Sequence, residues 1–95
     1  MKETKVIINN KVGLHARPAS LFVQTATKFA SEIQVSCQDS ETNEIREANA
    51  KSILGILTLG VYQGMELTIR ADGEDEETAL QSLVELVENN FGESE

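Results

Sequence analysis

The only histidine of the chain and its only proline fall within one hexapeptide, Gly13-Leu14-His15-Ala16-Arg17-Pro18. Gly13 can adopt backbone angles closed to other residues and suits a sharp exit from a strand. Pro18 cannot continue a strand but fits the first turn of a helix, where its missing N–H has no partner to lose. His15 is therefore expected at or just before a helix N-terminus. Such an end presents free backbone N–H groups and a partial positive charge, a combination that attracts anions. Arg17 adds a full charge with a fork of donors matched to phosphate. An imidazole placed there can attack a phosphoryl group through a ring nitrogen and hold it while amides and Arg17 neutralise the oxygens. A surface histidine that merely caps a helix would carry the same residue types at the same spacing, so the residues alone leave both readings open.

These side chains are positioned by a short series of elements. Lys5–Asn9 reads as a first strand, β-branched at its centre, and 9–13 as a turn-prone exit. The first helix is expected from Ala16 to about Lys28, with Leu21, Phe22, Thr25, Ala26 and Phe29 as its apolar stripe. Ile33, Val35 and Cys37 alternate with polar residues, the pattern of a half-buried strand. A polar loop runs from Gln38 to Glu44, and a third strand covers about 45–50. Ser52 is a preferred N-cap and predicts a short second helix from Ile53. Met65–Arg70 alternates again, closed by Asp72-Gly73. The last helix spans about Glu74 to Asn89, with Ala79, Leu80, Leu83, Val84 and Val87 facing inward, and 92–95 is expected to fray. The order is β-α-β-β-α-β-α. Alternation in the strands implies one covered and one wet sheet face, hence an α+β fold: a four-stranded antiparallel sheet with three helices on one face.

At 95 residues, 40% of them apolar, the chain suffices for one modest core and reads as one domain, 1–95. With only four aromatic residues, three Phe and one Tyr, that core must be aliphatic. The net charge of −8 argues against nucleic acid and anionic lipid as partners, since both are bound by clustered Lys and Arg. The acid gathers at 73–77 and 85–95, where it reads as a solvated helix face. Lys11 and Arg17 stand out against it beside His15. No apolar run is long enough for a membrane span, and the N-terminus lacks the pattern of an export signal. Cys37 has no intramolecular partner and reads as a small buried apolar residue, which fits a cytoplasmic setting. One His, one Cys and no carboxylate pair at ligand spacing give no metal site, and no glycine-rich phosphate loop supports a nucleotide. No metal and no cofactor is expected.

Gly13–Ala19 resembles the active-site signature of HPr, the histidine-containing phosphocarrier of the bacterial phosphoenolpyruvate:sugar phosphotransferase system. A second segment, Asn49–Gly60, resembles that family's regulatory serine region, and the likeness covers nearly the whole chain. The resemblance implies an open-faced β-sandwich. It implies phosphorylation of His15 on Nδ1 by a phosphohistidine of enzyme I, with Arg17 and the backbone of Ala16 and Arg17 holding the phosphate. Transfer to IIA units of sugar permeases would follow, without independent turnover. It implies, further, that an ATP-dependent kinase modifies Ser52 and that a catabolite repressor reads the result. A regulatory paralogue acting only through phospho-Ser52 is the alternative, but related regulators of that kind lack the histidine that this chain has. Two departures stand out. Val12 occupies a position where relatives often carry a small polar residue, and the 38–45 segment is several residues longer than usual. Ile53, Leu54 and Leu57 are more apolar than a short helix needs. With Ala16, Ser20 and Gln24 they are expected to form a flat docking patch around His15. Nothing in the pattern calls for more than a monomer.

Overall fold

The structure, a computed structural model, describes residues 1–39 and 41–92. Its elements follow the expected order: β1 (Lys2–Ile7), α1 (Ala16–Ala26), β2 (Glu32–Gln38), β3 (Ile45–Asn49), α2 (Ile53–Thr58), β4 (Glu66–Asp72) and α3 (Glu76–Glu88), closed by a 3-10 turn at Asn90–Gly92. The four strands form one antiparallel sheet in the order β1-β4-β2-β3. Along β2 and β4, Ile33, Val35, Cys37, Leu67, Ile69 and Ala71 are buried while their neighbours face water. The inward row meets Ala19, Phe22 and Ala26 of α1, Ile56 of α2, and Ala79, Leu80, Leu83 and Val87 of α3 in one core. Each fully buried Leu, Ile or Phe contributes about 1.5–3 kcal/mol, so this one-sided burial fixes which sheet face the helices cover.

The boundaries differ from the sequence reading in instructive ways. β1 begins at Lys2, not Lys5, because strand pairing is a backbone property. Lys2 lies opposite Ala71 and Glu3 opposite Arg70, and the polar side chains find partners, Arg70 Nε donating to Glu3 at 2.7 Å and Lys2 meeting Glu77 at 3.1 Å. At the other end Ile8 still bonds Met65 O (2.9 Å) and accepts from Gly64 N (2.7 Å), although the strand proper ends at Ile7. α1 stops at Ala26 because its last turn tightens, Lys28 and Phe29 donating to carbonyls three residues back.

α3 begins at Glu76, two residues later than expected. The carboxylate of Asp75 is turned away from its own helix and accepts from the amides of Ala30 (2.8 Å) and Ser31 (2.9 Å) and from the Ser31 hydroxyl. Glu76 instead accepts from Gly73 N at 3.1 Å. Phe91, not foreseen as core, is folded back and buried at φ +57°. Cys37 is buried with a free thiol, and burial pushes its pKa up. Of the 92–95 segment expected to fray, residues 93–95 lie outside the described residues. No helix is long and apolar enough to cross a membrane among the described residues.

Candidate functional site

The approach to His15 is built by two backbone contacts. After β1 the chain turns at 10–13, with Gly13 N bonded to Asn10 O (3.2 Å) and the Asn10 side-chain amide bonded to Gly13 O (2.9 Å). Gly13 takes φ +65° and lies against the 61–62 backbone, where a Cβ would stand 2.7 Å from Tyr62 Cα. Leu14 then donates its N–H to Val61 O at 3.1 Å, and its side chain is wholly buried. The residue before the histidine is thus anchored in the core and to the connection between α2 and β4. Sequence reasoning missed this anchor. An apolar residue inside a polar turn was the only local sign of it, and nothing local pointed to Val61.

His15 is exposed and extended (φ −131°, ψ 160°) just ahead of α1, and its side chain makes no capping hydrogen bond. The imidazole is therefore not spent on capping. Ala16 has φ +52°, a left-handed conformation that costs an L-residue about 1–2 kcal/mol. It turns the chain sharply between His15 and Arg17, and the residue type gave no hint of it. Arg17 is exposed, while Pro18 and Ala19 are buried and seat the first turn on the core. No acidic residue stands in that turn, so nothing on α1 offsets the partial positive charge of its amides. Lys11 and Arg17, both exposed, lie on either side of His15 in sequence.

Ser52 caps α2 as expected. It is extended (φ −106°, ψ 113°), half-buried, and its Oγ accepts from Gly55 N at 3.1 Å. Lys51 Nζ donates to Phe29 O at 2.7 Å, which ties the entrance of α2 to the chain leaving α1. Among the remaining patch residues, Ser20 and Gln24 are bonded to each other at 2.9 Å on one stripe of α1. Ile53 (45% exposed) and Leu54 (70%) face solvent. Leu57 is half-buried and packs against the core, so it supports the patch more than it lines it. Val12 (48%) and Tyr62 (49%) are exposed as well, and the Gly13 approach sets their segments side by side. Tyr62 was not foreseen.

A depression of about 490 Å³ lies elsewhere, lined by wet-face residues such as Lys5, Ser36, Glu66 and Thr68 and by Asn43 and Ile45. None of the candidate residues borders it. His15 is exposed to solvent. Among the described residues no cluster of His, Cys, Asp and Glu is placed to hold a metal.

A family model described as the PTS HPr component phosphorylation site matches residues 2–89. The chain belongs to the HPr family. It is 47% identical over 93 residues to the phosphocarrier protein HPr of Xylella fastidiosa, covering 98% of both chains. It is 39% identical over 95 residues to that of Neisseria meningitidis, covering both completely. Among solved structures, HPr of Thermoanaerobacter tengcongensis matches with a TM-score of 0.87 at 53% identity over the full length of both chains. HPr of Bacillus anthracis matches at 0.76 and 38%, with 90% of this chain and 95% of that one covered. The sheet and helix arrangement is that of HPr, and the chain is a phosphocarrier of the phosphotransferase system.

Proposed function

We propose that His15 is the phosphoryl acceptor, loaded by enzyme I and unloaded onto IIA units of sugar permeases. What carries this reading is the exposed imidazole, free of any capping bond, at the entrance of a helix whose first turn holds Arg17 and no acid. The Nδ1 lone pair attacks phosphorus as the P–N bond to the donor imidazole breaks. The ring of His15 gives up its Nε2 proton and the donor ring takes one up, so charge balances. Amides of the first turn, Ala16 and Arg17 among them, and the Arg17 guanidinium then hold the phosphoryl oxygens. Because the site is open on one side, the same group can leave for the next imidazole. Partners seat on Ala16, Ser20, Gln24, Ile53 and Leu54, with Leu57 beneath and Val12 and Tyr62 at the margin. The chain acts as a cytoplasmic monomer and needs no cofactor.

Ser52 is the regulatory position in this reading, a substrate for an ATP-dependent kinase whose product a repressor recognises. The added charge of about −1.5 to −2 would stand beside the docking patch and disfavour acidic partners. Incubation with phosphoenolpyruvate and enzyme I, and separately with ATP and the kinase, tests both parts. Label from phosphoenolpyruvate should be acid-labile and lost in His15→Ala; label from ATP should survive acid and be lost in Ser52→Ala. Label found only on Ser52 would make the chain a regulator and overturn the carrier role.

A further inference from the structure

We propose that Arg46 is a positioning residue for the partner-docking surface, and that Asp39 in the long 38–45 connection holds it in place. This rests on the reading of α2 as part of that surface. α2 has six residues, and a helix so short has no stability of its own in water. Its orientation is set by whatever grips its ends. The start is held by Ser52 and Lys51, as described. At the other end Leu59 is the C-cap, and its carbonyl accepts from Arg46 Nε at 2.7 Å. α2 carries no basic residue in its own last turn, so the cation that suits a helix C-terminus arrives from β3.

Arg46 is itself fixed. Its Nη1 lies 3.5 Å from Asp39 Oδ2, with both side chains mostly shielded. The other Asp39 oxygen accepts from the amides of Glu41 (2.8 Å) and Thr42 (3.2 Å), and the Asp39 N–H donates to Glu44 O at 2.9 Å. A strap therefore runs from the connection through Asp39 and Arg46 to the end of α2. Two residues further on, Val61 O accepts from Leu14 N. Residues 59–61 are thus held by Arg46 on one side and by the residue before His15 on the other. Loosening Leu59 would tilt Ile53 and Leu54, while the residue before His15 keeps its own bond to Val61.

Steady-state transfer from phosphorylated chain to a IIA protein, with enzyme I in excess, tests this in Arg46→Gln, Arg46→Lys and Asp39→Asn. Arg46→Gln should raise KM for IIA roughly fivefold to tenfold, the scale of one net hydrogen bond, with kcat within about twofold of wild type. Arg46→Lys should bring KM back to within about twofold, and Asp39→Asn should fall between. Amides of residues 56–61 should exchange faster in Arg46→Gln while those of α3 keep their protection. An unchanged KM in folded Arg46→Gln and Asp39→Asn would overturn the inference. So would a fall in kcat that follows lost stability and is not rescued by lysine. Failure of wild type to accept label at all would instead overturn the carrier reading on which the inference rests.

Discussion

A Cβ on Gly13 would stand 2.3 Å from the carbonyl oxygen of Val61. That oxygen is the one that receives the Leu14 N–H, so the approach to His15 has no room for a side chain and depends on backbone lying against backbone. Gly13→Ala also forces an L-residue to φ +65°, which alone costs about 1–3 kcal/mol. The variant should lose at least that much stability in urea titration. It should also accept phosphoryl groups more slowly at temperatures where it is still folded.

Ala16 presents the reverse case. At φ +52° the alanine is strained where a glycine would not be. Ala16→Gly should raise stability by up to about 1 kcal/mol, because relief of the left-handed strain outweighs the extra freedom given to the unfolded chain. The same urea titration checks it, and a destabilised variant would show that this turn is not under strain.

Ser52→Ala removes the one side-chain oxygen seen to cap α2. Loss of an N-cap of this kind costs about 0.5–2 kcal/mol. Amide exchange at Gly55 should accelerate first, since that N–H loses its acceptor. Loading of His15 should persist, as the two positions lie on different helices.

Acid should unfold the protein through carboxylates used as acceptors. The Ser31 hydroxyl, followed by the Ala30 amide, holds the Asp75 pKa below its ordinary 3.8. The Gly73 amide does the same chiefly for Glu76, ordinarily 4.5. A lowered folded-state pKa means that the bonds contribute fully above the unfolded value and are lost as pH falls through the folded one. The urea midpoint should therefore be level from pH 7 to about 5 and drop below about 4. Asp75→Asn should start lower at neutral pH and fall less steeply; an unchanged slope would contradict the role given to Asp75.

How far the fold could be read from residues follows from what periodicity records. Leu83 lies three residues after Leu80 and four after Ala79, with Val87 four further on, and Ile33, Val35 and Cys37 alternate, because each faces the core from a regular element. Ser52 was legible because capping is a local act. Lys2 and Glu3 were not legible as strand, since their pairing with β4 is made by backbone and by Arg70, far along the chain. Asp75 reads as an acid inside the first turn of the last helix, but its oxygens are used forty-odd residues away at Ala30 and Ser31. At the site, His15 and Arg17 were visible as types, and Pro18 fixed where the helix begins. The burial of Leu14, the support from Val61 and the left-handed turn at Ala16 are tertiary facts with almost no local trace.

Loading the protein with phosphoenolpyruvate and enzyme I, then recording nitrogen-resolved NMR of the imidazole and the first-turn amides, decides whether His15 carries the phosphoryl group. A phosphorus–nitrogen coupling is expected at His15 Nδ1, with the Ala16 and Arg17 amides shifting as they meet the phosphoryl oxygens, and no such coupling in His15→Ala. A phosphoryl group found on another residue, or a loaded His15 that leaves those amides unmoved, would contradict this reading.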